Sequence, residues 1–218
     1  MVSPLANLRL VRDRKTAMAS VRPLAVKRDN DALVDGVRAG QTWAKAALFD
    51  RYCGDVQRIL LRVIGSDPEL ADLIHEVFLR ALEGIDRLDD AANLRPWLLS
   101  IAVYAARERI RRRRRRWWQV LACDELPEEP VEEPRYELRQ ALRAMYTVLD
   151  RMDVDERIAI TLHRLEGMTQ PEVARVCKVS LSTAKRRLAR AEDSFRRMVS
   201  QDPVLCDWVK GGASWRDE

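Results

Sequence analysis

Residues 169–191, TQPEVARVCKVSLSTAKRRLARA, decide the fold of this chain. Thr169 is placed to cap a helix, with Pro171 in its first turn and Glu172 three residues after the cap, the arrangement of a capping box. Val173, Ala174 and Cys177 then share one face at helical spacing. Ser180 is placed to cap a second helix. Leu181, Ala184 and Leu188 of that helix point inward, and Ser182, Thr183, Lys185, Arg186 and Arg190 point outward. Two short helices joined by a tight turn, the second with a free cationic face, fit the DNA major groove, where Arg or Lys bonds guanine O6 and N7.

Much of the chain has the same period. It has 218 residues, of which 47% are hydrophobic and 33% charged, with 8 glycines and 3 phenylalanines. Long segments repeat at 3.6 residues and none alternates as a strand does, so the expected class is all-α. The formal net charge is +5, and it is segregated. Arg111–Arg116 form an unbroken cationic run, whereas Asp124, Glu125, Glu128, Glu129, Glu132 and Glu133 crowd a stretch interrupted by Pro127, Pro130 and Pro134. Prolines at that spacing oppose a continuous helix.

The charge pattern divides the chain. Residues 1–28 read as a disordered basic tail. Residues 29–118 read as one helical domain. In it Trp43, Ala47, Leu48, Tyr52, Val56, Ile59, Leu60 and Val63 make one apolar stripe, closed by Gly65. Leu70, Leu73, Ile74, Val77, Phe78, Ala81, Leu82 and Ile85 make the next, and Trp97, Leu98, Ile101, Ala102 and Ala105 a third. Residues 119–136 read as a flexible acidic linker. Residues 137–201 read as a second helical domain, with Leu138, Leu142, Met145 and Leu149 as one stripe and a helix opening at Asp153 and ending at Gly167. Residues 202–218 read as a loose tail.

Several functions are disfavoured at this level. Cys53, Cys123, Cys177 and Cys206 form no CxxC pair, and His75 and His163 lie near none of them, so neither a metal nor a cofactor is expected. His75-Glu76 is not followed by a second histidine at zinc-peptidase spacing, and no catalytic residues are expected. No apolar run approaches a membrane span or a signal core, which makes the cytoplasm the default location.

Three stretches carry a resemblance. PELADLIHEVFLRALEGIDRL (68–88), LRPWLLSIAVYAARERIRRRRRR (94–116) and GMTQPEVARVCKVSLSTAKRRLARA (167–191) resemble, in that order, the polymerase-binding helix, the −10-reading and melting helix, and the −35-reading helix-turn-helix of the extracytoplasmic-function (ECF) sigma factors of the bacterial sigma-70 family. The resemblance implies two small helical domains on a tether, and a promoter-specificity subunit of RNA polymerase that is not an enzyme. Its implied partners are bacterial core RNA polymerase, promoter DNA and an anti-sigma factor.

It also implies roles. Asp72, His75, Glu76 and Arg80 would face the polymerase, with His75 where the family usually has glutamine. Arg87, Asn93, Arg95, Tyr104, Arg107 and Arg111 would hold the −10 element, with Tyr104 at a usual asparagine and Glu108 at a usual aspartate. Lys185, Arg186 and Arg190 would read −35 bases, and Ser182, Thr183 and Arg187 would contact phosphates. Lys178 stands at the usual turn glycine. The acidic linker would either thread near the polymerase active centre or fold onto Arg111–Arg116. The rival reading is an autonomous helix-turn-helix regulator that binds duplex DNA unaided.

Overall fold

The computed structural model describes residues 23–65, 67–119 and 133–210. Nine α-helices follow one another among the described residues: α1 (Pro23–Arg38), α2 (Thr42–Ile64), α3 (Leu70–Gly84), α4 (Leu94–Gln119), α5 (Glu133–Arg151), α6 (Val154–Ile160), α7 (Gln170–Cys177), α8 (Leu181–Gln201) and α9 (Pro203–Lys210). A π-turn, Thr161–Leu165, continues α6, and two 3₁₀ turns lie between α3 and α4. No strand occurs among the described residues, as the helical period requires.

The first domain stacks α1 and α4 on α2, with α3 against both α2 and α4. The stripes foreseen from spacing are its core: Leu48, Val56, Ile59, Leu60, Val77, Ala81, Leu98 and Ala102 are buried. Trp43 is a correction, being 57% exposed. The core-facing residue at that turn is its neighbour Ala44, while the Trp43 indole donates to Gln41 Oε1 at 2.5 Å. Trp97 is half-buried against the core.

The boundaries also differ from expectation. The segment read as a basic tail already forms α1 from Pro23, and Leu33, Val34 and Val37 of α1 are buried. Asn30, also buried, locks α1 in place by donating to Ala91 O at 3.2 Å while accepting from Arg51 and Tyr52. Residues 1–22 and most of the acidic linker lie outside the described residues. The helix α5 begins within the stretch read as linker, at Glu133, with Pro134 in its first turn, where a missing N–H costs nothing.

The second domain wraps α5, α6, α7 and α9 around α8. Leu142 is 50% exposed, and Ala141 takes the core position beside it. Leu181 is 42% exposed at the start of α8. The tail foreseen after 201 is instead helical through Lys210. Asp202 Oδ1 accepts from Val204 N at 2.9 Å and from Leu205 N at 3.0 Å, and Leu205 is buried. Asp-Pro ends one helix and, by the same chemistry, caps and opens the next.

The two domains are not separate bodies on a string. The helix α4 packs along α7 and α6, and one continuous core runs from the first domain into Val154, Ile158, Leu162, Val173, Val176 and Leu188 of the second.

Candidate nucleic-acid interface

The helix-turn-helix forms as its local chemistry demands. Thr169 and Glu172 make the capping box on α7, and Ser180 Oγ accepts from Thr183 N at 3.2 Å on α8. The turn between them needs one left-handed residue, and Lys178 takes it, at φ 53° and ψ 48°. Val173, Ala174, Val176 and Cys177 of α7 are buried with Ala184 and Leu188 of α8. That burial turns Ser182, Lys185, Arg186 and Arg190 to solvent. Thr183 is half-buried beside Ser180. Arg187 bends back toward the first domain and pairs with Asp155 at 3.1 Å.

The other cationic set divides in two. Arg87, Tyr104, Arg107 and Arg111 converge on one cleft of about 870 Å³ between the domains, joined there by Lys178 and Arg187 from the helix-turn-helix. Asn93 and Arg95 lie outside it. Arg95 is held instead by Asp55 on α2, at 2.6 Å. Burial opposes ionisation of Asp55, yet Arg95 and Arg58 outweigh it and hold the carboxyl below its ordinary value. Within the cleft Tyr104 is 50% exposed. Arg107 pairs with Asp155 at 2.8 Å.

The face of α3 is open. Asp72 and His75 are exposed, and His75 stacks at a tilt on Phe49, 6.4 Å between ring centres. Arg80 joins Glu76 at 2.6 Å to Glu108 of α4 at 2.8 Å, and its guanidinium lies 5.3 Å from the Tyr104 ring centre. It therefore belongs as much to the α3–α4 seam as to the outer face.

Much of the basic run is engaged within the chain. Arg113 pairs with Asp150, and Arg114 donates to the carbonyls of Asp150 and Met152. Arg157, wholly buried, donates to Val63 O at 2.6 Å and Ile64 O at 3.1 Å, so the second domain caps the C-terminus of α2. Burial lowers the Arg157 pKa, opposed by its pairing with Asp150. Asp150, Asp155 and Arg157 were not singled out from sequence. Their partners are distant in the chain, and an acid in the first turn of α6 reads first as a helix-dipole residue.

These features agree with comparison to known proteins. Residues 48–116 match Sigma-70 region 2, and residues 142–193 match Sigma-70, region 4. The ECF RNA polymerase sigma factor SigC of Mycobacterium tuberculosis is 32% identical over 134 residues, 61% of this chain and 71% of that one. The fold is shared with CnrH, solved in complex with the cytosolic domain of CnrY, at 20% identity and a TM-score of 0.56, over 78% of this chain and 97% of that one. It is shared too with the sigma factor RpoE of Bartonella quintana, solved in complex with the anti-sigma factor NepR, at 18% identity and a TM-score of 0.51, over 71% of this chain and 95% of that one. Among the described residues no helix is long and apolar enough to cross a membrane. This chain belongs to the extracytoplasmic-function sigma factors of the sigma-70 family, which are transcription initiation factors and not enzymes.

Proposed function

We propose that this sigma factor divides promoter recognition between α4 and α8 and docks on core RNA polymerase through the open face of α3. The observation that carries the reading is the outward row Lys185, Arg186 and Arg190 on a capped recognition helix, on the same chain as an aromatic and cationic strip, Tyr104, Arg107 and Arg111, on α4. The first row suits base edges of a duplex −35 element. The second suits a single strand: separating DNA costs on the order of 1–2 kcal/mol per base-pair step, and stacking on Tyr104 with phosphate pairing to Arg107 and Arg111 offsets it. Arg87 shares that cleft, and Asn93 and Arg95 extend the proposed DNA surface beyond it. Asp72, His75 and Glu76 supply polar groups that orient the enzyme.

The protein acts in the cytoplasm, and an anti-sigma factor restrains it, as the NepR complex of the RpoE neighbour supports. In vitro transcription with purified core polymerase on a promoter library tests the assignment. Initiation from a shared pair of −35 and −10 sequences is expected. Tight duplex binding with no response to polymerase would overturn it.

A further inference from the structure

One arginine of α3 holds the aromatic ring that α4 presents to the cleft. Glu76 and Arg80 lie one turn apart on α3, and Tyr104 and Glu108 lie one turn apart on α4, so each pair shares a face of its helix. The two faces meet at Arg80. One terminal nitrogen of its guanidinium donates to Glu76 Oε1 at 2.6 Å and to Glu108 Oε2 at 2.8 Å. Both hydrogens of that nitrogen are thereby committed. They lie in the guanidinium plane, so the two carboxylates fix that plane as well as its position. The guanidinium carbon lies over the Tyr104 ring, 5.3 Å from its centre and within cation–π range.

Arg80 is poorly placed for the two other roles open to a cation here. The outer face of α3 carries Asp72, His75 and Leu79, all exposed, whereas the Arg80 side chain is 31% exposed and turned into the α3–α4 seam. A cation set between two carboxylates also has little net field to offer a phosphate. What remains is the ring. Tyr104 is half exposed. Ordering such a side chain at the moment of binding costs affinity, and a contact that orders it beforehand removes that cost.

We propose that Arg80 is a positioning residue for −10 recognition: braced by Glu76 and Glu108, it holds the Tyr104 ring in the orientation on which a −10 base stacks. The proposal rests on the assignment of Tyr104 to DNA. Arg80 then acts through Tyr104, and touches neither the base nor polymerase.

The holoenzyme tests it, on the promoter that the library selects. Wild type, Arg80→Gln, Tyr104→Ala and the double variant are compared, together with Arg80→Lys, which returns a cation to the ring. Titration of the labelled sigma factor with core polymerase reads docking by fluorescence anisotropy. Binding of each holoenzyme to a fluorescein-labelled fork oligonucleotide, duplex through −35 and single-stranded through −10, reads the contact with the melted strand.

Arg80→Gln is expected to associate with core polymerase as wild type does, and to bind the fork about two- to fivefold more weakly, the worth of one exposed cation–π contact. Arg80→Lys is expected to recover most of that loss. Tyr104→Ala is expected to bind more weakly still, and the double variant no more weakly than Tyr104→Ala. A field effect of the lost charge would persist without the ring, whereas a positioning effect vanishes with it. If the Arg80→Gln loss is undiminished in the Tyr104→Ala background, or falls on core association instead, the positioning role is wrong while the sigma assignment stands. If Tyr104→Ala binds the fork as wild type does, the assignment of Tyr104 to DNA fails. If wild type does not associate with core polymerase, the sigma assignment itself fails.

Discussion

Arg109 grips Asp67 across 42 residues of sequence with two parallel hydrogen bonds, Nε to Oδ2 at 2.9 Å and a terminal nitrogen to Oδ1 at 2.8 Å. The Asp67 side chain is 4% exposed, so this member of the basic stretch ties α4 to the α2–α3 turn and has no hand free for DNA. Arg109→Ala strands a buried carboxylate. It is expected to cost about 2–4 kcal/mol in urea unfolding, with an unchanged m-value. A cost under about 0.5 kcal/mol would place Arg109 among surface ion pairs.

The same pair sets an acid limit. Burial opposes ionisation of Asp67, but the Arg109 bonds and the Glu69 N–H outweigh it and hold the carboxyl below its ordinary 3.8. A carboxyl depressed on folding contributes stability that is complete above its unfolded value and is lost as pH falls through its folded value. The stability gap between wild type and Asp67→Asn is therefore constant above about pH 5 and narrows as pH drops below 3.8. Urea midpoints across that range check it, and a gap that widens on acidification refutes it.

Lys178 bears a side chain in left-handed backbone, at φ 53°. Relief of that strain favours glycine by about 1 kcal/mol, less the extra chain entropy that glycine loses on folding. Lys178→Gly is expected to raise the unfolding midpoint modestly, whereas Lys178→Ala keeps the strain and gains nothing. A lower midpoint for the glycine variant would show that the Lys178 stem contributes packing worth more than the strain.

Arg111 and Arg186 separate the two modes of DNA contact. Arg111→Ala weakens oligonucleotide binding whatever the sequence and reduces the logarithmic salt slope by about one. Arg186→Ala changes preference at one −35 base pair, by about 1–3 kcal/mol, in transcription assays with core polymerase. Equal loss on every promoter from Arg186→Ala would demote it to a phosphate contact.

The helices and their caps were legible because their causes are local. Thr169 with Glu172, Ser180 and the left-handed demand at Lys178 lie within a few residues of what they determine. Trp43 and Leu142 misled because a helical stripe is wide enough to include a residue at its solvent edge, and their neighbours Ala44 and Ala141 took the core. The arginine run shows the limit of pattern. Arg107, Arg109, Arg111, Arg113 and Arg114 look alike in sequence, yet Asp155, Asp67, Asp150 and the Met152 carbonyl engage four of them while Arg111 stays exposed. Charge spacing along a chain carries no record of which carboxylates the fold will bring near.

The packing that joins the two halves has a consequence for how the molecule comes apart. Val154, Ile158 and Val176 are buried in the same cluster as Leu98 and Ala102, so neither half keeps a closed apolar surface without the other, and denaturant is expected to melt both in a single transition.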